Sequence, residues 1–223
     1  MGRTFDTWVF DLDNTLYPAS VDLFTQIDTR MKAYISRTLD LGPDEAFRLQ
    51  KQYYHQYGTS LRGLMLEHGV DPQAFLADVH AIDHSVLAPD PVLRRALERL
   101  PGRKVVFTNG SVFHADRVLC ALGLRDLFEA IFDIVASDYI PKPHPETYAR
   151  LIDQLGIDPA RAIMVEDLEK NLAPAHALGM TTVLVRNTVH WSSWEGQSTT
   201  PETLPHCHHV TDDLAAWLTA WAD

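Results

Sequence analysis

Cysteine and basic residues are both scarce in this sequence, and each shortage argues against a class of protein. The two cysteines, Cys120 and Cys207, are far apart and do not form a Cys-x-x-Cys pair, which favours a reducing, cytoplasmic setting over a disulfide-bonded, secreted one. There are 19 Lys and Arg residues against 30 Asp and Glu, and the net charge of −11 argues against a nucleic-acid partner. A locally positive site for a small anionic substrate is compatible with this charge.

Long apolar runs are missing as well. No stretch is apolar over the length needed to span a bilayer, and the N-terminus lacks the basic region and apolar stretch of a secretory signal, so we expect no membrane partner. A chain of 223 residues, 46% hydrophobic and 22% charged, has room for one globular domain, or for one domain with a sizeable insertion. We expect a monomer or a homodimer.

Strand-like and helix-like stretches alternate along most of the chain. Strands are predicted at residues 5–10, 105–107, 131–135, 162–165 and 181–185, with a short edge strand near Val210. Helical patterns separate them, and this alternation predicts an α/β fold with a doubly wound, mainly parallel, Rossmann-like sheet. Asp212 is predicted to cap a last helix.

The first strand is followed by a segment of different character. From residue 21 to about residue 82, apolar residues recur every three or four positions, and Gly42, Gly58 and Gly69 divide the segment into four helices. Nothing in it resembles a strand. The sequence therefore predicts a four-helix cap, residues 19–88, inserted into a Rossmann-like catalytic core, residues 1–18 and 89–223.

Reactive side chains stand at the ends of the predicted strands or in the loops that follow them: Asp11 and Asp13, Thr108 and Asn109, Lys142, and Glu166 and Asp167. Because parallel strands end at the same edge of a sheet, we expect these groups to converge. Two carboxylates as close as Asp11 and Asp13 repel each other unless a cation lies nearby, and Mg²⁺ prefers such oxygen ligands. The alternative is a set of ordinary polar loops.

These residues resemble the motifs of the haloacid dehalogenase superfamily of phosphotransferases. That family carries an Asp-x-Asp-x-Thr motif, a Thr or Ser that closes the second strand, a Lys, and an acidic pair after the fourth strand. Here they are Asp11-Leu12-Asp13-Asn14-Thr15, Thr108, Lys142 and Glu166-Asp167. The match runs along the whole chain. It implies phosphate-ester chemistry, because superfamily members that remove halide from 2-haloacids lack the second acid, here Asp13.

The resemblance implies a catalytic role for three residues. Asp11 is expected to take the phosphoryl group as an aspartyl-phosphate. Asp13 is expected to protonate the leaving oxygen and then to activate water, and Lys142 to pair with both Asp11 and the phosphate. The phosphate oxygens are expected to be held by Thr108 and by the backbone N–H groups near Asn109 and Gly110.

A magnesium ion is implied by the same resemblance. Its expected ligands are Asp11, the backbone carbonyl of Asp13, Asp167, and Glu166 either directly or through water. Two supporting residues complete the set: Thr15 ends the first motif, and Asn171 is expected to order the loop after the fourth strand.

Two stretches resemble the pyrimidine 5′-nucleotidase branch of the superfamily, namely residues 10–18 and residues 57–64. That resemblance implies UMP-like or CMP-like nucleoside monophosphates as substrates, with Arg62 reaching them from the cap and Tyr57 stacking on the base. The alternatives for these two residues are a solvent-facing arginine and a tyrosine in the core of the cap. The alternatives for the function are a phosphatase for phosphoglycolate or a sugar phosphate, a phosphomutase, and an inactive binding scaffold.

Two further stretches are given structural interpretations. His206-Cys207-His208-His209 contains residue types that bind zinc, but adjacent residues of an extended segment point to opposite faces, so we expect an edge segment. Trp191 and Trp194 are expected to cover the edge of the sheet.

Overall fold

The computed structural model describes residues 5–187 and 205–222, so the predicted cover formed by Trp191 and Trp194 lies outside the described residues. Within those ranges, one six-stranded sheet has the order β3-β2-β1-β4-β5-β6, and every neighbouring pair is parallel. The strands are β1 (Thr7–Phe10), β2 (Arg103–Phe107), β3 (Ala130–Phe132), β4 (Ala162–Glu166), β5 (Thr181–Val185) and β6 (His209–Thr211). The predicted α/β fold with a doubly wound parallel sheet is confirmed, because this is the strand order of the Rossmann-type fold.

Helices of the core cover both faces of the sheet. They are α5 (Pro91–Arg99), α6 (Val112–Ala121), α7 (Pro145–Leu155), α8 (Glu169–Ala177) and α9 (Leu214–Ala222). Side chains of β1 alternate between two hydrophobic clusters: Trp8 and Phe10 belong to one, and Val9 belongs to the other. A strand that is buried on both faces is typical of the centre of a parallel sheet, and this explains why β1 is apolar throughout.

Four helices lie between β1 and α5: α1 (Leu23–Leu39), α2 (Pro43–Tyr57), α3 (Ser60–His68) and α4 (Pro72–Val79). They share a third hydrophobic cluster, which includes Tyr53, Leu64 and Phe75. Helices α2 and α3 pack so closely that a Cβ on Gly63 would lie 2.4 Å from Cγ of Tyr53, so only glycine fits there. A separate cluster is what a helical cap requires, while the boundaries at residues 19 and 88 stay a prediction.

Two predicted boundaries differ from the structure. Strand β3 ends at Phe132 instead of residue 135, because the Asp133 carboxylate accepts hydrogen bonds from the N–H groups of Val112 (2.8 Å) and Ala136 (2.9 Å) and turns the chain. The last helix is capped by Asp213, whose Oδ1 accepts from the N–H of Ala216 at 2.9 Å. Asp212 instead pairs with Arg186, with 2.7 Å between Oδ1 and Nε.

Over the described residues, no helix combines the length and the apolar composition that a membrane crossing requires.

Candidate active site

The site lies at the carboxyl ends of β1 and β4, where the strand order reverses. Asp11 follows β1 directly, and its backbone N–H donates to the carbonyl of Val165 in β4 at 2.9 Å. Glu166 is the last residue of β4. Connections leave these two strands in opposite directions, which opens a crevice between them, and ligands of doubly wound sheets bind in such crevices.

Lys142 forms the centre of the site. Its side chain is 2% exposed, and its Nζ donates to Asp11 Oδ1 (2.7 Å), Glu166 Oε1 (2.9 Å) and the carbonyl oxygen of Phe107 (2.8 Å). The Asn109 side chain holds the lysine backbone, since its Oδ1 accepts from the Lys142 N–H at 2.8 Å and its Nδ2 donates to the Lys142 carbonyl at 3.3 Å. All three Nζ protons therefore take part in hydrogen bonds. Burial alone would lower the pKa of Lys142, but the two acids raise it.

Asp11 is held in a single orientation. Its Oδ1 accepts from Lys142, and its Oδ2 accepts from the hydroxyl of Thr15, four positions later in the sequence, at 2.8 Å. Burial and the nearby Glu166 carboxylate raise the pKa of Asp11 to about 7, although Lys142 acts in the opposite direction. A carboxylate that is fixed, desolvated and paired with a lysine is suited to attack an electrophile.

Three buried carboxylates share this single lysine. Among the described residues, Asp11, Glu166 and Asp167 each offer an oxygen atom, and these atoms lie within 4.8 Å of one another. Burial, Glu166 and Asp11 raise the pKa of Asp167 well above its ordinary value. The excess negative charge and the all-oxygen donor set fit a bound Mg²⁺, which these three side chains would hold.

Glu166 accepts hydrogen bonds through both carboxylate oxygens. Its Oε1 accepts from Lys142 and from Nδ2 of Asn171 at 2.5 Å, and its Oε2 accepts from the backbone N–H of Leu168 at 2.7 Å. Asn171 also has a buried Oδ1 without a hydrogen-bond partner among the described residues. Asn171 therefore holds the loop after β4, and it borders the same cavity as the acids.

The predicted phosphate-binding residues follow β2. Thr108 is buried, and its hydroxyl accepts a hydrogen bond from the backbone N–H of Gly110 at 2.9 Å. Thr108, Asn109 and Gly110 all border the cavity that contains Asp11. The structure thus brings this loop to the same rim as the two aspartates.

Asp13 has partners that the sequence analysis missed. Its Oδ1 accepts from the hydroxyl of Tyr17 at 2.6 Å and lies 2.8 Å from Nε2 of His114 on α6. The His114 ring stacks on His80, with 4.7 Å between centroids. Burial alone would raise the pKa of Asp13, but His114 and the hydrogen bonds lower it to about 2. His114 lies on the buried face of a helix, where its position in sequence gives no signal that distinguishes it from a packing residue.

His80 allows a prediction about stability and pH. It is buried at the end of α4, where Nδ1 lies 2.8 Å from the Ser111 hydroxyl. Burial and the neighbouring His114 and His84 lower the pKa of His80 to about 3, against a weaker opposite effect of Asp13. The unfolded chain has the ordinary pKa of 6.5, so it binds this proton first as the pH falls. The contribution of His80 to the stability of the folded state is therefore complete above pH 6.5 and is lost as the pH falls towards 3.

We expect the free energy of unfolding to drop by about 2 kcal/mol between pH 7.5 and pH 5 because of His80 alone. Urea unfolding of the wild type and of His80→Asn, which keeps a hydrogen-bonding group for Ser111, measures this contribution. His55→Asn, at an exposed position of α2, is the control. Equal pH dependence in the wild type and His80→Asn would contradict the prediction.

A cavity extends from the two aspartates to the helical cap. Its core side carries the groups described above, and its cap side is mostly apolar. The cap residues that border it include Phe24, Ile27, Asp28, Met31, Gln50, Lys51, Tyr54, Phe75, Leu76 and Val79.

Two predicted substrate contacts do not border this cavity. Arg62 donates from Nη1 to the carbonyl oxygen of Tyr139 at 3.1 Å, and it lines a separate surface depression together with Tyr57. The Tyr57 ring packs edge-on against Tyr53, and its hydroxyl donates to the carboxylate of Glu67. The tyrosine that does border the cavity is Tyr54, three positions before Tyr57 on α2.

His206-Cys207-His208-His209 is an edge segment, with His209 in β6. Thr182 N–H and hydroxyl both contact Nδ1 of His208, at 3.1 and 2.8 Å. Within residues 5–187 and 205–222, no group of three potential metal ligands includes this segment.

The fold and the site define a hydrolase of a known class. A sequence model of the haloacid dehalogenase-like hydrolases matches residues 5–179, and the chain belongs to this family. Phosphate metabolism protein 8 of Saccharomyces cerevisiae is 31% identical over 78% of this chain, which spans 60% of the yeast protein's length. A glyceraldehyde 3-phosphate phosphatase of Methanopyrus kandleri is 29% identical over 80% of this chain and 82% of its own length.

The solved structures show the same fold. A HAD phosphatase from Thermococcus onnurineus superposes with a TM-score of 0.62, over 97% of this chain and 98% of that one, at 18% identity.

Proposed function

We propose that this chain is a Mg²⁺-dependent phosphomonoester hydrolase that acts through an aspartyl-phosphate on Asp11. The observation that carries the proposal is the pairing of Asp11 with buried Lys142 at a rim that also holds Asp13. A second acid is needed to protonate the oxygen of a leaving alcohol, whereas a departing halide needs none. Asp13 therefore favours phosphate esters over haloacids.

The reaction has two steps. In the first, an oxygen of Asp11 forms a bond to phosphorus, the bond from phosphorus to the leaving oxygen breaks, and Asp13 gives that oxygen a proton. In the second, Asp13 takes a proton from water, whose oxygen bonds to phosphorus while the bond to Asp11 breaks. Lys142 balances charge on Asp11 and on the phosphate. A magnesium ion at Asp11, Asp167 and Glu166 would supply further positive charge for the phosphate oxygens.

The pKa of Asp13 is low in the site without substrate. His114 and Tyr17 favour the ionised form, which is the form that accepts a proton from water in the second step. A phosphate dianion bound beside Asp13 raises its pKa, because like charges disfavour ionisation. The substrate itself thus helps Asp13 to hold the proton that the first step requires.

For the substrate we propose a pyrimidine nucleoside monophosphate such as UMP or CMP. The support is the resemblance of residues 10–18 and 57–64 to pyrimidine 5′-nucleotidases, together with a cavity whose cap side offers apolar and aromatic surface. Tyr54 takes the place proposed for Tyr57 as the aromatic group facing a base. Arg62 lies at the edge of the cap and does not border the cavity.

A second candidate is a sugar phosphate. The Methanopyrus relative is named a glyceraldehyde 3-phosphate phosphatase, and it is matched over most of its length. The catalytic steps would be the same, and only the leaving group in the cavity would differ.

Phosphate release from a panel of esters tests both candidates. The panel contains UMP, CMP, dUMP, AMP, GMP, phosphoglycolate, glyceraldehyde 3-phosphate and ribose 5-phosphate, each with Mg²⁺ and with a chelator. We expect the highest kcat/KM for UMP or CMP, and loss of at least about 99% of activity with chelator.

A non-catalytic readout separates metal binding from substrate choice. Mg²⁺ should raise the melting temperature of the wild type, because a bound ion stabilises the native state, and should raise that of Asp167→Asn much less. The best activity on a sugar phosphate would replace the substrate and keep the mechanism. No release from any ester, despite the Mg²⁺-dependent shift, would contradict the proposed reaction.

A further inference from the structure

A residue that borders the active-site cavity carries a buried acceptor without a hydrogen-bond partner among the described residues. It is the side-chain carbonyl oxygen, Oε1, of Gln50 on α2. Gln50 is 2% exposed and borders the same cavity as Asp11 and Asp13. Buried amide groups in folded proteins normally have partners for both oxygen and nitrogen. An unpaired carbonyl at a cavity wall is therefore a position where a ligand's donor can bind.

The neighbours of Gln50 fix which of its two amide atoms is unpaired. Nε2 lies 2.8 Å from Oδ1 of Asp28, and Nζ of Lys51 lies 2.6 Å from the same oxygen. A carboxylate that is paired with a lysine only accepts hydrogen bonds, so the amide atom facing it must be the NH₂ group. The unpaired atom is consequently the acceptor, and it can be satisfied only by an N–H or O–H group.

The backbone around Gln50 is held in place. Its carbonyl accepts from the hydroxyl of Ser60 at 2.9 Å, which ties α2 to the start of α3. The Sδ of Met31 lies 3.7 Å from Nε2 on the side of α1. With its backbone bonded to Ser60 and its Nε2 in contact with α1, the Gln50 side chain presents its acceptor without the loss of rotamer freedom that a surface glutamine would suffer.

We propose that Gln50 recognises the leaving group of the substrate by accepting a hydrogen bond from an N–H or O–H donor on it. This inference rests on the proposed function, in which the phosphate lies at Asp11 and the remainder of the substrate fills the cap side of the cavity. A uridine leaving group has donors in two places, the ring N3–H of the base and the hydroxyls of the sugar. The glycolate carboxylate of phosphoglycolate is an acceptor, so Gln50 and Asp28 disfavour it.

This acceptor makes the site selective, because substrates that lack a matching donor bind less favourably. A leaving group without a suitable donor leaves the Gln50 oxygen buried and unpaired, and sites with such polar groups discriminate strongly against analogues that cannot pair with them.

Gln50→Leu removes the acceptor and keeps the approximate size of the side chain. We expect kcat/KM for UMP to fall by roughly 10- to 100-fold. Hydrolysis of phenyl phosphate, whose leaving group carries no donor beyond the reacting oxygen, should not fall, because the substitution removes the unpaired acceptor that disfavours it. Gln52→Leu is the matched control, because it places the same substitution at an exposed position of the same helix.

Substrate analogues identify the donor. Their comparison on the wild type does not depend on how well the variant folds. On the wild type, 3-methyluridine 5′-monophosphate lacks the N3–H, and the 2′-deoxy and 3′-deoxy forms of UMP each lack one hydroxyl. The analogue that loses kcat/KM on the wild type but loses no more on Gln50→Leu identifies the group that Gln50 binds. A base donor is assigned by the methylated analogue, and a sugar donor by a deoxy analogue.

Three results would overturn the inference. In the first, all analogues match UMP on the wild type. In the second, Gln50→Leu lowers hydrolysis of UMP and phenyl phosphate equally. Both leave the proposed nucleotidase intact. In the third, phenyl phosphate is hydrolysed and no nucleotide is, which rejects the nucleotide assignment and this inference together.

Discussion

Asp11→Asn is expected to lower phosphate release from the best substrate by at least about a thousandfold, because asparagine cannot form the acyl-phosphate bond. The substitution keeps the size of the side chain and an oxygen for the Thr15 hydroxyl, which donates at 2.8 Å in the wild type. It also removes one of three mutually repelling buried carboxylates. The variant should therefore melt no lower than the wild type while it loses activity.

Two measurements check this result: initial rates of phosphate release, and mass spectrometry of acid-quenched enzyme for a phosphorylated peptide that contains Asp11. Asp153→Asn, on the exposed side of α7, controls for loss of an acid without loss of the nucleophile. Retention of more than about a tenth of the activity would be incompatible with nucleophilic catalysis by this residue.

Lys142→Met is expected to have the largest effect on stability. Lys142 and its partners Asp11 and Glu166 are all buried, and removal of the lysine leaves two carboxylates without their cation. Breaking a buried ion pair in this way costs about 3–5 kcal/mol. Activity should fall by at least about a hundredfold, because positive charge at the phosphate is lost.

Lys104→Met is the matched control for this variant. Lys104 is also largely buried, but its Nζ donates to the backbone carbonyls of Leu100 (3.1 Å) and Gly102 (3.4 Å) rather than to acids. Urea unfolding with and without Mg²⁺ separates the effects. Mg²⁺ should restore more stability to Lys142→Met than to Lys104→Met, because only the former has uncompensated carboxylates. Equal stability losses in the two variants would show that the Lys142 pairs contribute nothing specific.

The convergence of the strand-end residues could be predicted because it depends on few facts. Three of the apolar runs end on reactive side chains, and parallel strands end at one edge, so Asp11, Thr108 and Glu166 had to lie near one another. The order of the strands could not be predicted from composition. β1 pairs with β2 and β4 through backbone hydrogen bonds, which carry little sequence information.

In the cap, the helical periodicity of the sequence does not predict which residues border the cavity. Tyr53 and Tyr57 are four positions apart on α2, so they share a face, and that face packs on the core of the cap. Tyr54 lies about 100° further round the helix, which brings it to the cavity. Only the packing of α2 against its neighbours decides which of these faces borders the substrate.

His114 and Gln50 could not be found from the sequence for a related reason. Each is a polar residue on a buried helix face, where packing or a local hydrogen bond is the ordinary expectation. Their importance comes from contacts with Asp13 and Asp28, which belong to other elements. Such contacts exist only once the cap and the sheet have been assembled.

The central place of β1 also has a consequence for biosynthesis. Asp11 is made early, but β4, whose first residue is Ala162, is needed to complete the sheet beside it. Until β4 emerges from the ribosome, one edge of β1 has unpaired N–H and C=O groups, and an open strand edge favours aggregation. A chain interrupted before β4 lacks Glu166 and Asp167 and leaves this edge open, so we expect it to be both inactive and prone to aggregate.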